Sequence, residues 1–282
     1  VSRGSLPPAT LRKITGRGDK AIVVAELVLE GTVGGAATLD ETGDAPALWL
    51  AGDPKESGGM HKLIRLEDRG DKLVVAADST SKAPRNYLNR DESAITFVSY
   101  MDVDRDADLV YITSGAGGEK GKVWRFHGPT GEGGLTPLRA VDLAIGPGGD
   151  VYTWGNTGSY AGPIGRYTRD LKPKAQPGAD SHLYGHLYGR AGRGSSVCGM
   201  DVDALGRVFA TYGTNDCHVR VYDTNGGLVS YPRTTESSEG DKPNSRGPVP
   251  SAITGVVGYG GSLRVDPAGN IYLLQQGVPK DF

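Results

Sequence analysis

The chain has 282 residues, 44 of them glycine, and a formal net charge of -2. That length can bury a sizeable core in one large all-β domain. The near-neutral balance argues against nucleic acid or an anionic membrane as partner, and no apolar run approaches the ~20 residues that cross a bilayer.

In chain order, the opening at Val1 rather than at a methionine fits a mature or trimmed form. The first strong strand signal is Ala21 to Leu29, AIVVAELVL. From Leu39 onward one pattern recurs: an aliphatic residue, usually Asp, two turn residues, usually Gly, a spacer, then an aliphatic residue and often an aromatic. Its copies begin at Leu39-Asp40, Val103-Asp104, Ile145-Gly146, Val202-Asp203 and Val265-Asp266. Each reads as a β-hairpin, because Asp hydrogen-bonds backbone two residues on and Gly supplies positive φ. The second copy has Ala107 where glycine is usual.

A third strand follows four of the hairpins, at Leu63–Leu66, Val123–Phe126, Ile164–Tyr167 and Val219–Tyr222. The last hairpin has none, and either Ala21–Leu29 completes it or the chain is cut short. Small strand units in radial repetition protect their edges, which predicts a single all-β domain over 1–282, a β-propeller of five to seven blades with six favoured. The recognisable blades are 35–77, 96–130, 138–170, 197–232 and 259–282, with insertions at 171–196 and 233–258.

The stretch from Gly206 to Gly226, with Val208-Phe209, Asn215, Val219-Arg220-Val221-Tyr222-Asp223 and Asn225-Gly226, resembles an NHL repeat, and Val265 to Tyr272 matches the opening half of one. The resemblance implies a propeller without fixing an activity, since relatives include peptide- and RNA-binding propellers, a peptidyl-amide lyase and, more distantly, gluconolactonase-type enzymes. The lyase places metal-binding histidines at the starts of inner strands. Here those starts read Ser99-Tyr100-Met101, Ala140-Val141, Gly199-Met200 and Gly261-Ser262, with no histidine. The lactonases hold calcium with Glu, Asn and Asp, for which Asn156 and Asn215 are candidates and the acidic partners are not identifiable.

In propellers of this kind the loops after second strands share a face with the loops that open the next blade. That face would gather His61, Asn156, Tyr160, His186, Asn215, Asp216 and His218 as a ligand or metal site. The plainer reading is that exposed loops are polar. Asp102, Asp104, Asp106 and Asp108 offer calcium hard oxygens at every second position, although Ala107 and Thr113 exclude an EF-hand. Here the plainer reading is a hairpin turn with solvated acids. Cys198 and Cys217, the chain's two cysteines, map near that face and are a candidate disulfide, two buried thiols or a soft-metal pair with His218.

Arg17-Gly18-Asp19 and Arg69-Gly70-Asp71 read as turn chemistry before adhesion motifs. Gly115–Gly121 lacks a phosphate loop's Gly-Lys-Ser/Thr ending, and no nucleophile elbow is present. The leading functional expectation is a non-catalytic propeller, extracellular or periplasmic, that binds protein or a small-molecule or carbohydrate ligand. The alternatives are a metal-dependent hydrolase, lactonase or sugar lyase, and an assembly subunit that self-associates.

Overall fold

The computed structural model describes residues 9–15, 20–29, 32–40, 46–53, 62–77, 98–114, 121–128, 132–154, 164–174, 196–213, 218–227, 229, 252–253, 259–266 and 269–276. Strands dominate them, and they fall into two compact units, Val1–Pro137 and Leu138–Phe282.

In the first unit, β1 (Ala9–Thr15) and β2 (Ile22–Leu29) form an antiparallel hairpin. A four-stranded meander follows, the first sheet: β3 (Thr32–Asp40), β4 (Ala47–Asp53), β5 (Lys62–Asp68) and β6 (Leu73–Ala77). The second sheet is β7 (Val98–Asp104), β8 (Leu109–Ser114), β9 (Lys122–His127) and β10 (Gly133–Arg139). The second unit holds the third sheet, β11 (Asp142–Ile145), β12 (Val151–Trp154) and β13 (Ile164–Tyr167), to which Pro173 adds a bridge at Tyr167. The fourth sheet is β14 (Ser196–Val202), β15 (Val208–Gly213), β16 (His218–Tyr222) and β17 (Ala252–Ile253). The fifth is β18 (Tyr259–Val265) with β19 (Ile271–Gln276).

Period-two patterning decides which faces are buried. Met101 and Val103, Val110 and Ile112, Trp124 and Phe126 share one face of the second sheet, and Trp49 of the first sheet packs on it. In the second unit Ala144, Tyr152, Trp154 and Ile164 of the third sheet meet Met200, Val202, Val208, Ala210 and Tyr222 of the fourth. The fourth sheet's other face sends Phe209, Val219 and Val221 against Leu263 of the fifth. Each large side chain so buried contributes ~1.5–3 kcal/mol, so sheet-on-sheet stacking holds each unit together.

The turns follow from Asp and Gly. Asp203 Oδ1 accepts the Leu205 and Arg207 N–H groups at 3.0 and 2.8 Å, and Gly206 takes φ +79°. Asp223 repeats this with Asn225 and Gly227, and Asp266 with Asn270, around Gly226 and Gly269 at positive φ. In the second sheet the left-handed position falls on Asp108, φ +52°, next to the alanine that replaces glycine; Asp tolerates that region better than most side chains. At Arg69-Gly70-Asp71, Gly70 has φ +85° in the β5–β6 turn and Arg69 pairs with Glu67 at 3.0 Å.

The expected third strands are β5, β9, β13 and β16. Three fourth strands, β6, β10 and β17, were not anticipated. Gly133-Gly134 and Pro137 disguise β10, and β17 lies inside the stretch 233–258 that reads as an insertion. The Ala21–Leu29 signal becomes β2, whose ladder is with β1. Leu11 and Leu27 of that hairpin pack toward Leu50 and Leu66, and Lys13 Nζ pairs with Asp68 at 2.7 Å. Of the stretches 171–196 and 233–258, read as insertions, residues 175–195, 233–251 and 254–258 lie outside the described residues.

Candidate functional site

Within a unit the first strands of successive sheets, the inner strands, are neighbours: β3 with β7, β11 with β14, β14 with β18. An inner strand pairs along one edge only, so every second N–H on the other edge needs a partner. In β14 the Asp203 N–H bonds to Arg207 O. Antiparallel alternation therefore turns the Val202 and Met200 N–H groups away from β15.

Carboxylates answer that need. Asp201, 8% exposed, accepts the Val202 N–H on Oδ1 at 2.9 Å and the Val265 N–H of β18 on Oδ2 at 2.7 Å. It thus clips two inner strands together. Asp102 on β7 likewise accepts its neighbour's N–H, from Val103 at 2.9 Å, and faces the Thr38 hydroxyl of β3 at 3.4 Å.

Asp142, at the start of β11, is 1% exposed. Its Oδ1 accepts the Leu143 N–H at 2.7 Å, while Oδ2 has no hydrogen-bond partner. Burial pushes its carboxyl up to about 8, against the pull of Arg264 and of the Leu143 and Met200 amides and with a smaller push from Asp201. Near neutral pH it is therefore largely a neutral acid. Asp142 pairs across the ladder with Trp154, so it sits at the end of the third sheet from which the 155–163 segment departs.

At the opposite, turn end of the third sheet, Asp150 accepts Arg166 Nε at 2.8 Å and Lys174 Nζ at 2.7 Å. Arg166 also reaches Thr224 O of the fourth sheet at 3.1 Å and lies 5.3 Å from the centre of the Tyr152 ring. This cluster sets one carboxylate against two cations and ties the third sheet to the turn that follows β16.

The loop residues singled out from sequence, His61, Asn156, Tyr160, His186, Asn215 and Asp216, lie outside the described residues, as does Cys217. His218 opens β16 and Cys198 lies in β14, and their side chains are outside the described set. Of the four aspartates from 102 to 108, Asp104 is buried and its Oδ1 takes the Asp106 N–H at 3.2 Å, as a turn carboxylate does. Among the described residues no three or more His, Cys, Asp or Glu side chains gather as a metal-holding group. Asp142 escaped the sequence reading. Its signal is one acid in the apolar run Val141-Asp142-Leu143-Ala144-Ile145.

No family model matches the chain, and no curated protein matches it. Solved structures do resemble it. A protein named as a glucose dehydrogenase-type oxidoreductase from Thermus thermophilus aligns at TM-score 0.53 and 15% identity, over 94% of this chain and 84% of that one. A protein of unknown function from Bacteroides thetaiotaomicron aligns at TM-score 0.50 and 13% identity, over 91% of this chain and 59% of its own length. Among the described residues no helix is long and apolar enough to cross a membrane. Successive antiparallel meanders, their face-to-face stacking within each unit and this likeness make the fold a β-propeller.

Proposed function

We propose that the chain is a non-catalytic, NHL-like binding propeller whose ligand seats at the Asp142 end of the inner strands. The observation that carries this reading is Asp142 itself, a fully buried acid with an unpartnered oxygen beside Asp201 and Arg264. A buried ionisable group costs stability at neutral pH, and groups of that kind concentrate where a protein does its work. The NHL-like character draws on the Asp223-to-Gly226 turn after β16. A small polar or carbohydrate ligand suits a seat with one guanidinium and two acids.

The test is thermal unfolding with a panel of neutral polyols, sugar acids and short peptides, comparing wild type with Arg264→Met. A binder raises the wild-type midpoint through mass action, and the variant, checked for native circular dichroism, loses that rise. Equal rises in both proteins would move the seat elsewhere. A catalytic reading draws on the same acid, since a carboxyl that keeps its proton near neutral pH suits general acid chemistry. Its check is turnover of sugar lactones by wild type and loss of turnover in Asp142→Asn.

A further inference from the structure

The Asp-x-x-Gly turn recurs in the second unit with one geometry, at Asp203, Asp223 and Asp266. In each, the aspartate's backbone oxygen accepts the glycine N–H, at 2.9 Å from Gly206, 3.0 Å from Gly226 and 2.9 Å from Gly269. Each side-chain Oδ1 also accepts the N–H four residues on, and the glycines take φ +79°, +81° and +83°. The residue before the glycine is Leu205, Asn225 or Ala268. Asn225 alone of these carries a side-chain amide, and it is exposed. Asn225-Gly226 is also the chain's one Asn-Gly pair.

That pair is reactive in a way its two counterparts are not, since asparagine is among the thermally labile side chains. The Gly226 nitrogen, once it loses its proton, can attack Asn225 Cγ and close a cyclic imide, and glycine brings no β-carbon to crowd the approach. Nδ2 leaves as ammonia. Water then opens the ring at either carbonyl. Breaking the bond from nitrogen to Cγ gives aspartate. Breaking the bond from nitrogen to the backbone carbonyl gives isoaspartate, with a methylene added to the main chain. Neither oxidant nor reductant is needed. In the folded turn the attacking nitrogen is occupied, because its N–H is donated to Asp223 O. Asp223 Oδ1 holds the peptides on both sides, taking the Asn225 and Gly227 N–H groups at 2.8 Å each.

We propose that Asn225 is a spontaneous modification site whose pace Asp223 sets: the side-chain amide becomes a carboxylate only when the turn opens locally and frees the Gly226 nitrogen. Either product puts a new negative charge two residues from Asp223. Isoaspartate also lengthens a turn that is closed by the Asp223 N–H on Gly227 O at 2.8 Å. Thr224 O, in the same turn, accepts Arg166 Nη1 at 3.1 Å, so the change reaches the third sheet. The chain thus carries a chemical clock that loosens the tie between the third sheet and this turn with age.

The experiment incubates the full chain at mildly alkaline pH, folded and in urea. It follows peptide 221–233, which trypsin releases after Arg220 and Arg233 and which holds Asn225 as its only asparagine. Mass spectrometry reads the conversion of amide to acid, and chromatography separates the aspartate and isoaspartate forms. Both should form at least ~10-fold faster in urea than in the folded chain, the factor that one lost hydrogen bond of ordinary strength is worth. Asp223→Ala, checked for native circular dichroism, should approach the urea rate without urea. In the aged, folded wild type, hydrogen exchange should quicken at residues 164–167. The proposal falls if no product forms in urea, if folded and unfolded rates are equal, if a folded Asp223→Ala ages no faster than wild type, or if ageing leaves exchange at 164–167 unchanged. All but the third are read in the wild-type sequence, so they stand even where the variant folds poorly, and none depends on the ligand seat.

Discussion

The Val265 N–H of β18 donates to Asp201 Oδ2 of β14 at 2.7 Å, joining the fourth sheet to the fifth through one carboxylate. Removing it orphans that N–H and the Val202 N–H together. Asp201→Ala should lower unfolding free energy by ~2–4 kcal/mol, since hydrogen bonds to a charged group contribute ~1.5–3 kcal/mol and stranded donors add a penalty. Asp201→Asn keeps one acceptor and should fall between wild type and alanine. Denaturant titration of the three proteins checks the order, and equal stabilities would show that the clip carries no energy.

The pH dependence of Asp142 has a definite sign. Its folded value lies above the unfolded one, so the folded chain holds a proton that the unfolded chain releases. The stability it contributes is full below ~4, is lost as pH rises toward the folded value of about 8, and stays lost above it. Asp142→Asn keeps the shape and cannot ionise. Relative to wild type it should gain stability steadily between those limits and level off beyond them, as read from melting temperatures at several pH values. A constant difference across the range would refute the assignment.

Asp150 is the shared acceptor of Arg166 and Lys174 at the turn end of the third sheet. Asp150→Ala leaves the Arg166 guanidinium, 15% exposed, without its carboxylate. The expected loss is ~2–4 kcal/mol, less than for a fully buried pair because Lys174 stays partly wet. Added salt should narrow the gap between variant and wild type only slightly, which distinguishes this cluster from exposed pairs such as Arg12–Glu26.

Gly133 opens β10 with φ +147°, and a β-carbon there would stand 2.1 Å from Arg125 O. Neither backbone can yield cheaply. Gly133→Ala should unpair β10 from β9 and cost at least ~2 kcal/mol, seen as faster hydrogen exchange in residues 122–127. Gly134→Ala, where open space surrounds the added carbon, is the control and should be near neutral.

What was legible in the sequence was local. The Asp203 and Gly206 turn announces itself because both its hydrogen bonds and its positive φ lie within five residues, and the continuous apolar run Val208 to Ala210, buried on both faces, extends it into a strand. The outer strands were not legible. An edge strand needs no apolar stripe of its own, so β10 accommodates Pro137 and β17 needs only Ala252 and Ile253 to pair with β16. Asp142 stayed hidden for another reason. Its environment is assembled by Asp201 and Arg264, far along the chain and brought near only by the order of the sheets.

The fourth sheet is covered on both sides, by Tyr152 and Trp154 on one and by Leu263 on the other. During synthesis its second side stays wet until β18 leaves the ribosome. Phe209, Val219 and Val221 are therefore a surface for chaperones to shield or for neighbouring nascent chains to stick to. Docking of β18 is in that sense the step that ends this sheet's exposure to misassembly.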